Sequence, residues 1–551
     1  MISPRQAIGA ALWSLSDLVR VDERGRAFRA KAYRTAVWSL DDLPSDLAGP
    51  AEAMLAVPGI GPGILKLIDE FRSIGEISVL ERLREQYPGD VARLRKLPRM
   101  TPALLRSLKG ELGVDRAADL IAAVESGAVE TLKGVGPTTA ERWARALELA
   151  PSAKAVPAFE AAGLAGSLDR HLTHHQRAKI WVAGAVRRLE EWVETIDLVA
   201  EVDDPVSTGR FLEETAVARF LGQSETRTSR LESHDGVEVR VHLARTGTAG
   251  TRLIGATGPS DHAATVLAGV EDATLSEAEI YARQGRVWIP APARGLPQEQ
   301  AAGVVRSTDI RGDLHIHTER SPDGRMSLVD VLAAAVDLGY EYVLITDHTS
   351  GLRFGGLDEQ GLIRQRAEID SVRSRFPDLL VLHGAELNID RDGGLDIGDE
   401  GLALLDLAVA GLHSHFDLAR DEQTARVLTA MRHPVVRILA HPTGRRIGIR
   451  PAVDLDVEAV IAAAVDHDVA LEVNGHRDRL DLSADLATAA LPAGAMLAAN
   501  SDAHRMGELG NVANSVGTLQ RAGVPPASVV NTLPVTRFRD WISGGERFPT
   551  G

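Results

Sequence analysis

The sequence contains no cysteine among its 551 residues. This absence excludes disulfide bonds, thiolate zinc sites and a cysteine nucleophile. Long apolar runs are lacking too: no stretch of about 18 apolar residues occurs, so no membrane-spanning helix is predicted. The N-terminus also lacks the basic segment followed by an apolar segment that marks a signal peptide. The sequence therefore predicts a cytoplasmic protein that does not bind membranes.

Positive charge is in deficit, since 61 Lys and Arg stand against 77 Asp and Glu and the formal net charge is -16. A simple nucleic-acid binder is usually basic, so the net charge alone does not favour that class. Bound divalent cations would cancel several acidic charges, and basic residues can still cluster on one face. The hydrophobic content of 44% is ordinary for globular protein. The length predicts about three or four domains.

The chain changes character twice along its length. Residues 1–150 are predicted to form short amphipathic helices interrupted by Gly and Pro, and residues 151–300 mix helices with strands. Residues 311–551 alternate buried strands with helices such as Leu328–Leu338 and Val457–Asp466. Repeated strand–helix units predict a parallel sheet or barrel whose functional groups lie at the C-terminal ends of the strands. The predicted linker is Gln298–Asp309, and the predicted strands are Ile180–Val182, Ile196–Val199, Val237–Leu243, Val287–Ile289, Tyr342–Thr346, Leu379–Leu382, Leu407–Leu412, Val436–Ala440, Val469–Val473 and Met496–Ala499.

Metal-ligating residue types stand where the C-terminal strands end. His315 and His317 lie on one face of an extended segment, because side chains alternate along a strand. Taken singly, each candidate has an ordinary explanation, such as a turn aspartate, a helix cap or a solvated histidine. Together they place six histidines and three carboxylates at the ends of successive strands, which chance does not favour. The candidates are His315, His317, Asp323, His348, Glu386, His413, His441, Asp502 and His504.

This combination of ligand types predicts bound divalent cations. Imidazole and carboxylate without thiolate suit Mn²⁺, Zn²⁺ or Fe²⁺. Nine ligands exceed what one ion needs and suit two or three ions, with a carboxylate bridging some of them. Clustered ions bind phosphate oxygens, lower the pKa of a bound water and stabilise a leaving oxygen. The C-terminal half is therefore predicted to be a multinuclear phosphoesterase.

The same motifs resemble the PHP (polymerase and histidinol phosphatase) superfamily. That resemblance covers residues 311–551 and implies a distorted (β/α)7 barrel with a trinuclear metal centre, in which all nine candidates are ligands. Asp347 is predicted to be structural, and His415 is predicted to be a solvent-facing or outer residue. The motifs that carry the resemblance are Asp313-Leu-His-Ile-His317, Thr346-Asp-His348, Glu386, His413-Ser, His441-Pro and Ser501-Asp-Ala-His504.

Two glycine-containing turns in the N-terminal half have the form of helix-hairpin-helix motifs. Val57–Gly63 precedes a predicted helix, and Leu132–Pro137 precedes another. The glycines permit a tight turn whose backbone N–H groups can approach a DNA phosphate beside a helix N-terminus. Leu97–Pro102 has the same frame without the glycines. The motifs predict sequence-independent contacts to the DNA backbone at Gly59, Gly61, Gly63, Gly134 and Gly136.

The order of these parts resembles the bacterial family X DNA polymerases that carry a C-terminal PHP domain. The resemblance begins near Phe28–Arg34 and includes a thumb-like segment at Glu277–Pro290. It implies a multidomain α/β protein with three parts: a helical helix-hairpin-helix domain at 1–150, an α+β nucleotidyltransferase-like palm and thumb at 151–300, and the barrel at 311–551.

The palm departs from the family pattern where Mg²⁺ would bind. Thr195 stands in place of the first of two paired aspartates, so only Asp197 remains, and Glu238 replaces the third aspartate. Ala185 replaces the serine that precedes the paired arginines, Arg187-Arg188. Losing a carboxylate impairs two-metal catalysis, so the resemblance implies an inactive polymerase-like module.

Two other residues bear on lost activities. Glu194 is offset by one position from Thr195 and is predicted to point to the opposite face of the strand. Leu67 occupies the position of the family's lyase lysine. The adjacent Lys66 is predicted to be an ordinary surface residue, since it is rotated by about 100° around the helix.

The sequence predicts a metal-dependent phosphoesterase that acts on DNA as a monomer, by 3′–5′ exonuclease or 3′-end processing activity in repair. Arg353 and Arg445 are candidate phosphate contacts. Three alternatives remain: an active family X polymerase with a PHP nuclease, a small-molecule phosphatase similar to histidinol phosphatase, and a non-enzymatic DNA scaffold. The hairpin motifs argue against the second alternative, and the complete ligand set argues against the third.

Overall fold

The computed structural model describes residues 4–22, 27–44, 46–97, 99–148, 152, 154–271, 274–351 and 355–544. The chain divides into two compact units, Met1–Arg286 and Val287–Gly551. None of the described helices has both the length and the apolar character needed to cross a membrane. The finer division of the first unit into a helical domain and a palm stays a prediction.

Nine α-helices precede the first strand in the described part of the first unit, as the sequence predicts. Proline and glycine delimit several of these helices. The helix that follows Gly61 begins with Pro62 and is terminated by Gly75, whose φ of 80° suits a residue without Cβ. The helices are α1 (Pro4–Asp22), α2 (Ala27–Ser39), α3 (Ala51–Leu55), α4 (Pro62–Ile74), α5 (Ser78–Gln86), α6 (Val91–Leu94), α7 (Pro102–Leu112), α8 (Ala117–Glu125) and α9 (Pro137–Glu148).

The rest of the first unit contains a five-stranded mixed sheet. Its order is β2-β4-β7-β6-β5, with β4 and β7 parallel. Leu12, Trp143 and Val239 belong to one buried cluster, so the helices and the sheet share a core. The elements are β1 (Val156–Pro157), α10 (Ala158–Gln176), β2 (Lys179–Ala183), α11 (Gly184–Arg187), β3 (Trp192–Val193), β4 (Thr195–Val202), α12 (Pro205–Glu214), β5 (Ala218–Gln223), β6 (Thr228–Ser233), β7 (Glu238–Arg245), α13 (Ala249–Thr257), α14 (Ser260–Leu267) and α15 (Glu277–Arg283).

The second unit is a barrel of parallel strands covered by helices. Its elements are α16 (Gln298–Ala302), β8 (Gly312–Ile316), α17 (Leu328–Asp337), β9 (Tyr342–Ile345), α18 (Glu359–Val372), β10 (Leu380–His383), β11 (Glu386–Asn388), α19 (Asp399–Leu402), β12 (Ala408–Gly411), α20 (Arg420–Met431), β13 (Val436–Ala440), α21 (Val457–His467), β14 (Ala470–Asn474), α22 (Ala484–Ala490), β15 (Leu497–Asn500), α23 (Val512–Arg521) and α24 (Val535–Ile542). Strands β9 and β12 are buried along their whole length, as expected where helices cover a parallel sheet.

The strands close into a ring through single bridges. They form two parallel groups, β10-β9-β8 and β11-β12-β13-β14-β15. The bridges His348–Glu386 and Ile316–Ala503 join the groups at both edges. Because β10 and β11 are two parts of one interrupted strand, the ring has seven strand positions. This confirms the predicted distorted (β/α)7 barrel.

Two predictions for the start of the second unit are wrong. Val287–Ile289 forms no strand, and Trp288 instead accepts a hydrogen bond at its carbonyl from Arg306 at 3.3 Å. The predicted linker, Gln298–Asp309, is an ordered part of the second unit that contains α16 and buries Val305. The Val305 amide donates to the Val524 carbonyl at 2.9 Å. The polar composition of this segment concealed the few apolar residues that anchor it.

Candidate functional site

The nine predicted ligands lie together at the C-terminal end of the barrel. His315 lies in β8 and the others follow β8, β9, β10, β12, β13 or β15, because parallel strands present their carboxyl ends at the same face. Several groups of their side-chain atoms are close enough to hold a cation: His317 with His348 and His504; His315 with His317, Glu386 and Asp502; and His348 with Glu386 and His413. Asp323 and His441 extend these groups through His504 and Glu386.

Glu386 lies at the centre of the cluster and is fully buried. Its Oε2 atom lies within 3.4 Å of three imidazole nitrogens, and its Oε1 atom lies within 2.9 Å of two others. A carboxylate in this position can bridge two cations, one on each oxygen. The imidazoles near Oε2 belong to His315, His317 and His348, and those near Oε1 belong to His413 and His441.

Several buried ligand atoms have no hydrogen-bond partner among the described residues. They are the Nε2 atoms of His315 and His317, Nδ1 of His348 and Oε2 of Glu386. The three imidazole nitrogens lie 3.1–3.4 Å from Glu386 Oε2 without forming hydrogen bonds to it. An unpaired buried polar atom costs about 1–3 kcal/mol, so such convergence needs an explanation. A divalent cation would satisfy all four atoms, and the residues therefore fit a metal centre.

Asp502, His504 and Asp323 form the edge of the cluster near solvent. Asp502 Oδ1 lies 3.5 Å from His315 Nε2 and 3.3 Å from His317 Nε2. Asp323 Oδ2 lies 3.3 Å from His504 Nε2, and the Asp323 side chain is half-exposed. Asp502 has a φ of 53°, a conformation that non-glycine residues adopt mainly where surrounding structure enforces it.

Gly411 ends β12 inside the cluster and leaves no room for a side chain. A Cβ atom there would lie 2.9 Å from the Cε1 atoms of both His413 and His441, and 3.0 Å from Glu386 Oε1. Any other residue would displace ligands, so the glycine is required by the packing of the centre.

The electrostatics of the cluster keep its carboxylates ionised. Burial opposes the charged forms of Glu386 and Asp502, but the surrounding histidines outweigh it and hold both pKa values well below their usual range. Burial lowers the pKa of His441 to about 4. For His317, burial is outweighed by the nearby carboxylates of Asp502 and Glu386, which raise the pKa to about 9. At His315 the carboxylates of Glu472, Glu386 and Asp502 also outweigh burial and raise the pKa well above its usual range, so the metal-free cluster holds protons that cations must displace.

Metal affinity is expected to rise with pH, because a bound cation needs the neutral form of His317. Below its pKa of about 9 the metal-free protein binds a proton there, and metal binding must release it. Titration of chelator-treated protein with Mn²⁺ should show affinity increasing with pH from neutrality, by ~10-fold per pH unit for each proton released, and levelling off above that pKa. An affinity that does not change with pH would contradict the assigned protonation of His317.

Glu472 is a further residue of the centre that the sequence reasoning missed. Its Oε1 lies 2.7 Å from His315 Nδ1 and accepts from Asn500 Nδ2 at 2.9 Å. Its Oε2 accepts from the His441 amide at 2.7 Å and from Asn474 Nδ2 at 3.0 Å. A carboxylate that binds the far nitrogen of a ligand histidine fixes its tautomer and orientation. The available signal was a charged residue within an otherwise apolar strand.

Replacing Glu472 with glutamine is expected to weaken metal binding and lower phosphoesterase activity by ~10- to 100-fold, the usual effect of losing such a partner. Equilibrium dialysis with Mn²⁺ and initial rates on a DNA end would measure the two effects. Glu458→Gln, on the exposed face of α21, is the matched control and should leave both unchanged. Equal metal binding and equal rates in the two variants would show that Glu472 does not support the metal centre.

Asp347 and His415 have the roles predicted for them. The Asp347 carboxylate accepts from the Thr318 and Ser321 amides at 2.6 and 3.1 Å and so shapes the loop that precedes α17. Ser321 Oγ in turn lies 3.0 Å from His317 Nδ1. His415 is exposed, and its carbonyl accepts from Gln423 at 2.7 Å.

A cavity of about 370 Å³ opens onto the metal-ligand cluster and is lined by four arginines and four acidic residues, Asp323, Asp478, Asp502 and Glu508. Arg450 stacks its guanidinium 3.6 Å from the centre of the Phe416 ring. Arg479 lies 3.3 Å from Asp502 Oδ2. The arginines that line the cavity are Arg446, Arg450, Arg479 and Arg505.

Arg445, which was predicted as a phosphate contact, is not among the described residues that line this cavity. Arg445 donates to the backbone carbonyl of Arg479 at 3.0 Å and also to that of Leu480, so it holds a loop. Arg353 lies outside the described residues. From the sequence alone, an arginine that donates to backbone carbonyls of a loop cannot be told from an arginine that lines the cavity.

The palm brings its remaining acidic residues to one face, where each has a protein partner. In the parallel pair β4–β7, Thr195 lies opposite Glu238. Asp197 Oδ1 lies 2.9 Å from His242 Nε2. Glu238 accepts from both Arg230 and Arg240, at 3.1 and 2.9 Å. Among the described residues, no group of candidate metal ligands includes Asp197 or Glu238.

The paired arginines of the palm are also engaged. Arg187 donates to both oxygens of Glu277 at 3.1 and 2.7 Å, and Arg188 donates to Glu190 at 2.8 Å. Glu194 is exposed and bonds to Ser152, away from the Thr195 face. The loss of nucleotide and metal binding at the palm stays a prediction.

The two glycine turns have the same geometry. Ile60 and Val135 are buried, and their amides donate to the carbonyls of Val57 and Leu132 at 3.0 and 3.1 Å. Gly59 and Gly134 have φ values of 91° and 90°. A Cβ atom at Gly61, Gly63, Gly134 or Gly136 would meet no described atom within 4 Å, so the turns leave space for an approaching backbone.

The third copy of the turn differs in chemistry. Arg99 takes the place of the first glycine with a φ of 58°, and the Thr101 hydroxyl accepts from the Leu104 amide at 3.2 Å. A side chain therefore caps α7 where Gly61 leaves the α4 amides free. Lys66 is exposed on α4, in agreement with its predicted surface role.

Family models match three parts of the chain. Residues 3–77 match a helix-hairpin-helix domain, residues 91–149 match a SAM-like helix-hairpin-helix tandem, and residues 313–449 match the PHP domain. The chain is 30% identical over 533 residues to the DNA polymerase/3'-5' exonuclease PolX of Bacillus subtilis, covering 92% of this chain and 93% of that protein.

Shorter relatives match the barrel. A probable phosphatase of Edwardsiella ictaluri is 30% identical over 231 residues, covering 40% of this chain and 90% of that protein. The probable phosphatase YcdX of Escherichia coli K12 is 29% identical over 234 residues, with the same two coverages of 40% and 90%. The Bacillus subtilis relative is 30% identical and matches almost the whole length of this chain. The chain therefore belongs to the family of the PHP-domain DNA polymerase/3'-5' exonuclease PolX.

Proposed function

We propose that this chain is a metal-dependent phosphoesterase that hydrolyses DNA at 3′ ends. The observation that carries the proposal is that three buried imidazole nitrogens without hydrogen-bond partners converge on the equally unpartnered Oε2 atom of Glu386, at the C-terminal face of the barrel. The name of the Bacillus subtilis relative, which includes 3'-5' exonuclease activity, supports DNA as the substrate.

The ligand set suits two or three divalent cations of the Mn²⁺, Zn²⁺ or Fe²⁺ type. Seven of the nine residues fall in overlapping groups, and Asp323 and His441 adjoin these groups through His504 and Glu386. We assign all nine residues as ligands: His315, His317, Asp323, His348, Glu386, His413, His441, Asp502 and His504.

The residues of this chain prepare the centre and hold the substrate. Glu472 accepts from Nδ1 of His315, which leaves its Nε2 lone pair directed into the cluster. The Asp502 carbonyl does the same for His504. Bound cations would supply a water of lowered pKa and neutralise the phosphate. Arg446 and Arg450 line the cavity beside the cluster, where guanidinium groups suit a phosphodiester.

A comparison of substrates tests this proposal. Rates with Mn²⁺ would be measured on a 3′-recessed DNA duplex and on histidinol phosphate. We expect kcat/KM on DNA to exceed that on the small ester by ~100-fold or more, since only DNA uses the arginine-lined cavity fully. Equal or reversed values would favour the second candidate, a small-molecule phosphatase, which the two probable phosphatases matching the barrel support.

The helix-hairpin-helix turns are proposed to bind the DNA backbone. Lys133 is exposed next to Gly134, and its replacement with alanine should weaken DNA binding equally for all sequences. The slope of log K against log salt should fall by about 1, because one phosphate contact is lost. Lys154→Ala, at another exposed lysine of the first unit, is the control. An unchanged slope in Lys133→Ala would exclude this turn from the interface.

The remaining assignments are also proposals. We infer that the polymerase-like module is inactive, because Thr195 replaces a metal ligand and the remaining acidic residues bind His or Arg. A monomeric state and a cytoplasmic location remain predictions of the sequence. A purely structural DNA scaffold is disfavoured, since such a barrel would not need nine converging ligands.

A further inference from the structure

We propose a second metal site, in the first unit, formed by Asp42, His174 and His175. Asp42 ends the short helical segment Leu40–Asp42, and both histidines lie in the last turn of α10. One ligand atom from each of the three side chains lies within 4.8 Å of the others. The expected ligand is a single borderline divalent cation such as Zn²⁺ or Co²⁺, because the donors are two imidazoles and one carboxylate.

The distances suit a tetrahedral ion. Asp42 Oδ1 lies 3.8 Å from His174 Nε2 and 3.6 Å from His175 Nδ1. Tetrahedral ligands at the usual ~2.1 Å from zinc are about 3.4 Å apart. The observed separations are therefore slightly wider than this and too long for hydrogen bonds. A small movement of the half-exposed Asp42 would close them around an ion, with water as the fourth ligand.

The two elements that carry the ligands are already fixed against each other. The neighbouring Asp41 lies 2.8 Å from His171 Nε2 on α10 and accepts from the Ala216 amide at 2.8 Å. The His175 ring stacks on Phe211 with centroids 5.4 Å apart. These contacts hold the backbone of both elements and the ring of His175 in place, which lowers the entropy cost of binding an ion.

The exposures fit an ion that binds from solvent. The side chain of His174 is 72% exposed, whereas that of His175 is only 11% exposed. The ordinary alternative is that the histidines merely stabilise the C-terminal end of α10 through its dipole. That role needs no carboxylate and requires no particular distance between the two rings. A bound ion would instead link Leu40–Asp42 to α10 and stabilise the first unit.

Metal stoichiometry decides between these alternatives. Tag-free full-length protein would be stripped with a chelator and dialysed against Zn²⁺, and bound metal would be counted by elemental analysis. We expect His174→Ala/His175→Ala to bind one equivalent less than the unaltered chain, with unchanged cleavage of DNA. His467→Ala, at an exposed histidine of α21, should bind as many equivalents as the unaltered chain.

A single variant guards against misfolding of the double variant. Because His174 is largely exposed, His174→Ala should preserve the fold while lowering the affinity for this one ion by ~10-fold or more. Equal stoichiometry in the double variant, or unchanged affinity in His174→Ala, would overturn the proposal. Absence of DNA cleavage by the unaltered chain would instead contradict the proposed function of the barrel. Failure of the second metal site and failure of the proposed function are therefore distinguishable.

Discussion

Replacing Glu386 with glutamine is expected to lower DNA cleavage by at least ~10³-fold and to remove at least one equivalent of bound metal. Glutamine has nearly the same shape but no charge. One carboxylate oxygen faces three imidazoles and the other faces two, so no neighbouring group can take over either role. Steady-state rates on a labelled DNA end and elemental analysis of the purified protein would measure both effects.

The control for this experiment is Glu400→Gln, on the exposed surface of α19 in the same unit. It should cleave DNA and bind metal as the unaltered chain does. If Glu386→Gln kept both its activity and its metal content, the bridging role of this carboxylate would be wrong, and the cluster would have to be built around Asp502.

The second large effect concerns the palm, where no primer extension is expected under any metal condition. Asp197 bonds to His242, and Glu238 bonds to Arg230 and Arg240. Two-metal nucleotide transfer needs three free carboxylates, and Thr195 supplies none. A gapped duplex with all four nucleotides and Mg²⁺ or Mn²⁺ would measure extension, and Asp197→Asn should cleave DNA at the same rate as the unaltered chain.

Extension by the unaltered chain that Asp197→Asn abolishes would overturn this interpretation. It would mean that Asp197 leaves His242 when nucleotide binds and that Glu238 completes a working metal site. Thr195→Asp alone is not expected to restore extension, because the two arginines would still hold Glu238.

The sequence predicted most of the barrel because its signals are local. Buried strands covered by helices are apolar throughout and are therefore easy to recognise. The prediction for β13 has the observed bounds, and the observed bounds of β9, β10, β12, β14 and β15 differ from the predicted ones by one residue at one or both ends. The nine candidate ligands could be named because they lie at or follow strand ends, and strand ends of a parallel barrel share one face. These inferences needed no knowledge of long-range contacts.

The errors arose where long-range contacts decide the structure. Glu472 was passed over because a carboxylate in a buried strand becomes meaningful only when His315, far away in sequence, is known to face it. Arg445 was chosen as a phosphate contact, yet the chain folds its guanidinium back onto loop carbonyls. The hairpin β5–β6 was missed, because its alternation of polar and apolar residues is weak.

The most direct test of the account is cleavage of a 5′-labelled, 3′-recessed duplex with Mn²⁺ by the unaltered chain and by Asp502→Ala/His504→Ala. We expect progressive shortening from the 3′ end by the unaltered chain and at least ~10³-fold slower shortening by the variant, with DNA affinity preserved. Equal shortening by the two proteins would contradict it, because the activity would then not reside in the metal centre of the barrel.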